Sequence, residues 1–328
     1  MSYPFQPVAS LKGRSVAAAG DFSLEEIEGL IDLALAMRGA IASGTTLDVL
    51  RGRLMVPLFF EDSSRTRSSF CAAMLRLGGQ VLDFNIERSS VNKGETLQDT
   101  IRAMDSYADV MVLRHPQVEA LAQALAVATH PILNAGNGAG EHPSQSLLDL
   151  LTIKADLGRV DGLTIAFIGD LKMGRTVHSL LRLLCGNYNL RKVYLIAPEG
   201  LEMPEAVLDS VAASLKERGI ALESRTALAA AVVADCDVLY CTRLQKERFA
   251  SAEAGDARSL AAFEAAKEGI RVDRARMRDA KKDMIVMHPL PRVDELSTDI
   301  DDDPRAAYFR QMQNGLYMRM ALLYSILV

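Results

Sequence analysis

The sequence has no tryptophan, few aromatics at 5%, and only four cysteines and five histidines. Cys71, Cys185, Cys236 and Cys241 share no CxxC spacing, and no histidine stands at metal-ligand distance from them. A disulfide framework and a structural zinc site are therefore not expected, and no metal is called for. No apolar run approaches the roughly 18 residues of a membrane span. One of the longest, Leu54–Phe60, has the length of a buried strand. The opening residues, Met1 to Gly20, lack the apolar core of a signal peptide, which makes the cytosol the expected compartment. Neither charge dominates: 37 Lys+Arg against 42 Asp+Glu leave a formal charge of -5. Such a surface does not bind nucleic acid by releasing counterions, so any basic site is local. The G-x-G-x-x-G fingerprint of dinucleotide enzymes is missing too. What is there is a 328-residue chain, 49% hydrophobic, long enough for two domains with separate cores.

Ser23 and Glu26 form a capping box, and Leu24, Ile27, Ile31, Ala34 and Ile41 recur behind it at helical spacing, predicting a helix to about Ala42. Leu54–Phe60 reads as a strand, with Pro57 pushing it toward a sheet edge or a late start. A helix follows Ser64, carrying Phe70, Met74 and Leu77 on one face and stopped by Gly78 and Gly79. Short strands are expected at Val81–Phe84, Val110–Leu113 and Ile132–Leu133, with helices at Glu95–Tyr107 and Val118–Ala128. Pro143 suits the first turn of a long helix, the candidate bridge between domains. The pattern then restarts, with strands at Leu163–Ile168, Val193–Ile196, Val238–Cys241 and Ile285–Met287 and a helix near Pro204. An acidic loop, Asp299–Pro304, precedes a last helix, Arg305–Leu327. Strands alternating with helices predict an α/β chain of parallel sheets whose ligands bind beyond the carboxyl ends of the strands.

Six arginines stand in the loops after these strands: Arg65, Arg67, Arg114, Arg175, Arg243 and Arg292. Guanidinium groups bind carboxylates and phosphates bidentately, so the set points to a ligand with several anionic groups, although each alone also reads as a solvated surface residue. In Phe59-Phe60-Glu61-Asp62-Ser63-Ser64-Arg65-Thr66-Arg67, strand, turn and helix leave the free N–H groups of Ser63 to Thr66 at a helix N-terminus. A phosphate fits there; so does a plain serine cap. His142 ends a glycine-rich loop, Asn134 to Glu141, before the Pro143 helix. His115, His130, His178 and His288 read as structural.

Ser63-Ser64-Arg65-Thr66-Arg67 is similar to the phosphate motif of the carbamoyltransferases. Further matches follow in the same order: Lys93-Gly94-Glu95, Arg114-His115-Pro116, His142-Pro143-Ser144-Gln145, Gly169 to Thr176, Thr242 to Arg248, and His288-Pro289-Leu290-Pro291-Arg292. The chain resembles the aspartate branch of that family. The ornithine branch typically has His-Cys-Leu-Pro at the last motif and lacks the segment Arg243-Leu244-Gln245-Lys246-Glu247-Arg248.

The resemblance implies two doubly wound parallel-sheet domains joined by two helices, with the active site in the cleft between them. Residues 1–149, completed by the helix 305–328, would bind carbamoyl phosphate, and residues 150–304 would bind aspartate. Ser63, Ser64, Arg65 and Thr66 would hold the phosphate. Thr66, Arg114 and His142 would aim at the carbonyl oxygen, where charge develops as the amine attacks. His142 would act neutral, as a donor. Gln145 would accept from the carbamoyl NH2, and the carbonyls of Leu290 and Pro291 would face the substrates. Arg175 and Arg243, with Gln245 as orienting partner, would clamp the two carboxylates of L-aspartate, together with Lys93. Lys93 and Ser89 or Ser90 would reach a neighbouring subunit's site, which implies a homotrimer with shared sites. The implied reaction gives N-carbamoyl-L-aspartate for pyrimidine biosynthesis and needs no cofactor, because the leaving phosphate can take the amine proton.

The sequence departs from the family pattern at Ser64 and Ser144, which stand for threonine and keep the hydroxyl, at Asn137 for aspartate, and at Asp62, which adds a negative charge beside the phosphate motif. A second reading comes from Gly169-x4-Gly174-Arg175-Thr176, one residue away from a P-loop. Arginine in place of the lysine, with Asp170 and Lys172 inside the loop, weighs against it.

Overall fold

Ser23 caps the first helix, α1 (Leu24–Ala42), as the capping box requires: its Oγ accepts from Glu26 N at 3.2 Å, and Glu26 Oε2 accepts from Ser23 N at 2.9 Å. The computed structural model describes residues 3–244 and 257–328. Its contacts divide the chain into two units, Met1–Leu151 with Gln313–Val328, and Thr152–Met312.

The first unit alternates β1 (Leu54–Phe59), α2 (Ser64–Arg76), β2 (Gln80–Val81), α3 (Leu97–Asp105), β3 (Val110–His115), α4 (Ala120–Leu125) and β4 (Ile132–Asn137), then enters α5 (Pro143–Leu157). The strands form one parallel sheet in the order β2-β1-β3-β4. Val56, Leu58, Met111, Leu113 and Ile132 bury their side chains in its core beside Ile101, Leu121 and Ala124 of the covering helices. The near-continuous apolar runs of β1 and β3 are what a sheet covered on both faces needs.

The second unit repeats the pattern with β5 (Thr164–Ile168), α6 (Arg175–Asn187), β6 (Lys192–Ile196), α7 (Glu205–Arg218), β7 (Ala221–Arg225), α8 (Ala230–Asp235), β8 (Val238–Cys241), α9 (Ala257–Ile270) and β9 (Ile285–Met287), and the last helix, α10 (Tyr308–Leu327), belongs to the first unit from Gln313 onward. The parallel sheet of the second unit has the order β7-β6-β5-β8-β9. In both units the chain winds outward to one side and then returns to the other side of the starting strand. The reversal falls between β1 and β3 in the first sheet and between β5 and β8 in the second, and at such switch points diverging loops leave room for a ligand.

Three expectations need correction. Pro57 does not put its strand at an edge: β1 lies between β2 and β3, with Pro57 opposite Val112. Leu54 O accepts from Asp109 N on the β3 side and Met55 O from Leu82 N on the β2 side, so Pro57 faces the β2 side. The ladder there pairs only Leu54 and Met55, and the missing N–H costs no bond. The strand expected at Val81–Phe84 is the two-residue β2, and the last helix begins at Tyr308 rather than Arg305. Arg305 is occupied instead by Asp303, to which it donates from Nε and Nη2 at 2.9 and 2.7 Å.

Candidate active site

Three neighbouring loops of the first sheet carry the residues that the sequence singles out there. After β1, Ser63 is the residue before α2, and its main-chain oxygen accepts from Arg67 N at 3.3 Å. Its hydroxyl makes no capping bond, which leaves the first N–H groups of α2 to an incoming anion. Ser64 and Arg65 are exposed and Thr66 is buried. Partial desolvation lowers the Arg65 guanidinium from its ordinary value, and a less hydrated cation binds an anion more strongly.

Arg114 occupies the next strand end, opposite Phe59, and is 8% exposed. Its Nη2 donates to Glu61 Oε1 at 2.8 Å and its Nη1 to Ala135 O at 3.3 Å. The ladder between β3 and β4 shifts register between Leu113 and His115, and such a bulge re-aims the side chain it carries. Sequence reasoning missed Glu61. It lies two residues before the matched segment, and its partner comes from another strand 53 residues away.

The loop after β4 is tied by two asparagines. Asn134 donates to Ala17 O at 2.7 Å and to Asn137 Oδ1 at 3.1 Å, and accepts from Gly136 N at 2.8 Å. Asn137 accepts from Glu141 N at 2.9 Å and donates to Val118 O at 3.0 Å. An aspartate at 137 would lack that last donor, which gives the departure from the family pattern a local reason. Gly138 is obligatory: its φ is +54°, and a Cβ would stand 2.5 Å from Pro116 O. The loop delivers His142, 3% exposed, to the start of α5, where its carbonyl accepts from Gln145 N at 2.9 Å. Gln145 is buried, and its Nε2 donates to Asp149 Oδ1 at 2.8 Å.

The segment after β2 folds into two short turns, Ile86–Arg88 and Ser90–Lys93. Ser89 is committed locally, donating to Ile86 O at 2.7 Å and accepting from Val91 N at 3.3 Å. Ser90 and Lys93 are exposed.

In the second unit, Gly169 leaves β5 at φ +121°, where a Cβ would stand 2.4 Å from Thr242 O. Thr242 N in turn donates to Ile168 O at 2.7 Å. This close approach holds together the two loops at the switch point. One leads to Arg175, the first residue of α6, and the other to Arg243; both side chains are half-buried. Gln245 lies outside the described residues. The loop between β5 and α6 has the strand–loop–helix placement of a P-loop, but Asp170 is buried in it and accepts from Met173 N at 3.0 Å. A buried carboxylate consuming a loop N–H repels phosphate, so the nucleotide reading falls.

After β9, Leu290 has φ +57° and a cis bond to Pro291. His288 Nδ1 accepts from Leu290 N at 2.8 Å, so Nε2 carries the proton toward Glu295 Oε1 at 2.9 Å. Two of the six arginines serve the fold: Arg67 pairs with Asp83, and Arg292 Nη2 pairs with Asp301 Oδ2 at 2.6 Å. The other histidines have local partners, His115 accepting from Gln117 N, His130 facing Asp105, and His178 facing Leu171 O.

Two family models cover most of this chain. That of the aspartate/ornithine carbamoyltransferase carbamoyl-P binding domain matches residues 14–155, and that of the Asp/Orn binding domain matches residues 161–326. The chain belongs to the aspartate/ornithine carbamoyltransferase family. It is similar to the aspartate carbamoyltransferase catalytic subunit of Thermoplasma acidophilum, 43% identical over 97% of this chain and 99% of that one. The crystal structure of aspartate transcarbamoylase from Trypanosoma cruzi in complex with N-(phosphonacetyl)-L-aspartic acid superposes with a TM-score of 0.93, at 60% identity over 98% of each chain. The multifunctional protein pyr1-3 of Dictyostelium discoideum is 45% identical over 96% of this chain, which spans only 13% of its length.

Proposed function

We propose that this chain transfers the carbamoyl group of carbamoyl phosphate to the amino group of L-aspartate, giving N-carbamoyl-L-aspartate and phosphate. One observation carries the reading: the free helix N-terminus at Ser63 to Thr66, buried Arg114, and the pair His142 and Gln145 all sit on adjacent loops at the carboxyl edge of one parallel sheet. Ser63, Ser64, Arg65 and Thr66 hold the phosphate. Thr66, Arg114 and His142 donate to the carbonyl oxygen, stabilising it as it becomes an oxyanion. His142 acts neutral. Gln145 accepts from the carbamoyl NH2, and Leu290 and Pro291 offer backbone carbonyls to the substrate amines. Arg175 and Arg243 clamp the aspartate carboxylates with Gln245. The amine attacks the carbonyl carbon, the C–O bond to phosphate breaks, and the leaving phosphate takes the amine proton.

The relatives favour aspartate over ornithine, being aspartate carbamoyltransferases by name. In this reading residues 1–149 with 305–328 form the carbamoyl-phosphate-binding domain and 150–304 the aspartate-binding domain. The working form is a homotrimer in the cytosol, in pyrimidine biosynthesis, with Lys93 and Ser89 or Ser90 contributed to the neighbouring subunit's site. Among the described residues, no helix is long and apolar enough to cross a membrane. Phosphate release from carbamoyl phosphate, with L-aspartate and L-ornithine compared as acceptors, tests the reading. Release with aspartate alone is expected. Release with ornithine would overturn the substrate assignment, and release with neither would overturn the reaction.

A further inference from the structure

Gln145 has an ambiguous side chain, an amide that offers a carbonyl oxygen on one side and an NH2 on the other. One turn along α5 stands Asp149, fully buried, with its Oδ1 2.8 Å from Gln145 Nε2. A carboxylate only accepts hydrogen bonds, so the amide must turn its NH2 toward Asp149 and its oxygen away. Arg319, buried on α10, supplies a compensating charge that acts electrostatically on Asp149. Arg319 is itself fixed by Ser69 Oγ at 2.8 Å and Ser144 Oγ at 3.5 Å, with its guanidinium 5.0 Å above the Phe70 ring.

We propose that Asp149 is a positioning residue that makes Gln145 a pure acceptor, so that this subsite selects an acyl phosphate bearing an NH2 group over one bearing a methyl group. The assignment deepens the carbamoyl phosphate reading and rests on it. Without the carboxylate the amide is free to turn, and a donor facing the carbamoyl NH2 forfeits the bond that distinguishes the two groups. A site built to bond a polar group rejects an analogue lacking it, because its own buried acceptor is left unpaired.

The test compares the KM for carbamoyl phosphate with the inhibition constants of acetyl phosphate and inorganic phosphate, following carbamoyl-aspartate formation. The variant is Asp149→Leu combined with Arg319→Met, which removes the carboxylate and its counter-charge together. Replacing opposite buried charges with apolar side chains of similar volume is commonly tolerated. The ratio of the acetyl phosphate inhibition constant to the carbamoyl phosphate KM is expected to fall about tenfold, the worth of one hydrogen bond. Inhibition by inorganic phosphate reads any change passed to the phosphate loop through the bond from Arg319 to Ser69 Oγ at 2.8 Å, and the ratio is unmoved by a change common to all the ligands. If the double variant does not fold, Asp149→Asn serves, because an amide pairs with Gln145 in either orientation and the ratio should still drop. An unchanged ratio, or a parallel weakening of all three ligands, would overturn the assignment alone. A wild-type chain that makes no carbamoyl-aspartate would overturn the functional reading and this assignment with it.

Discussion

Arg114→Lys preserves the charge at the centre of the site and removes the fork. The guanidinium spans two directions, with Nη2 on Glu61 at 2.8 Å and Nη1 on Ala135 O at 3.3 Å. An ammonium is a single point on a flexible stem and satisfies one of these while aiming less firmly at a substrate oxygen. Long-range attraction for the phosphate survives, so the KM for carbamoyl phosphate should change only severalfold. The loss falls on the developing oxyanion: removing one preorganised donor costs about 2.7–4 kcal/mol, or roughly 10² to 10³ in kcat. Losing a buried hydrogen bond from a charged group also destabilises the fold by about 1.5–3 kcal/mol. At about 2–4 °C of Tm per kcal/mol for a unit of this size, thermal denaturation should shift downward by several degrees. Steady-state phosphate release at saturating aspartate, with a melting curve on the same sample, measures both. A kcat within about threefold of wild type in a folded variant would refute the role of Arg114 at the carbonyl, since that is far below the loss of one oxyanion donor.

Glu26 ties the N-terminal segment to α1, accepting from Ser10 and Arg14 at 2.7 Å each and from Ser23 N at 2.9 Å. Burial alone would raise its carboxyl, but the bonds from Ser10, Ser23 and Arg14 outweigh it and hold the group below its ordinary 4.5. Its stabilising contribution is thus full above about pH 4.5 and lost as pH falls through the lower folded value. Glu26→Ala should lower the unfolding free energy at pH 7 by about 1–3 kcal/mol through loss of the cap and the ion pair, and by much less under acid conditions; equal losses at both pH values would refute the linkage. Burial pushes the Cys185 and Cys236 thiols up to about 12, and Cys241 is also fully buried, whereas Cys71 is half-exposed. A disulfide reagent should therefore titrate Cys71 first in the native protein and all four cysteines only after denaturation, and early loss of Cys241 would contradict the packing. Mixing Lys93→Ala chains with Arg65→Ala chains should restore part of the activity if subunits share sites. No recovery in proven hybrids would count against sharing.

The alternating architecture was legible because most of the parallel strands are apolar runs and several helices start at a capping residue or a proline, as at Ser23, Thr96, Pro143 and Pro204. The strand that escaped, β7, has the sequence Ala-Leu-Glu-Ser-Arg and is exposed along most of its length. An edge strand outside the core leaves neither an apolar run nor an alternation to read. Pro57 misled for a related reason, since its cost depends on how far the neighbouring strand extends, which no local pattern encodes. Within the candidate site, the helix N-terminus at Ser63 was visible in the order of residue types. The partners Glu61 of Arg114 and Asp149 of Gln145 were not, because each is one carboxylate among many until strand register and helix phase select it. Counting loop arginines overreached at Arg67 and Arg292, whose partners Asp83 and Asp301 are acidic residues brought near by the fold.

The first unit is closed by the last stretch of the chain. Gly13 N donates to Ile326 O at 2.9 Å, Val8 N to Ser325 Oγ at 3.0 Å, and Arg319 reaches Ser69 beside the phosphate loop. Met318, Leu322, Leu323 and Ile326 of that stretch are buried. On the ribosome, the segment that begins the first unit therefore waits for some 160 residues of the second to be made before its final helix arrives. Domains usually fold one after another as they emerge. Here the order of synthesis forces the earlier unit to finish later, and a nascent chain stalled anywhere in between exposes the apolar surface that α10 is destined to cover.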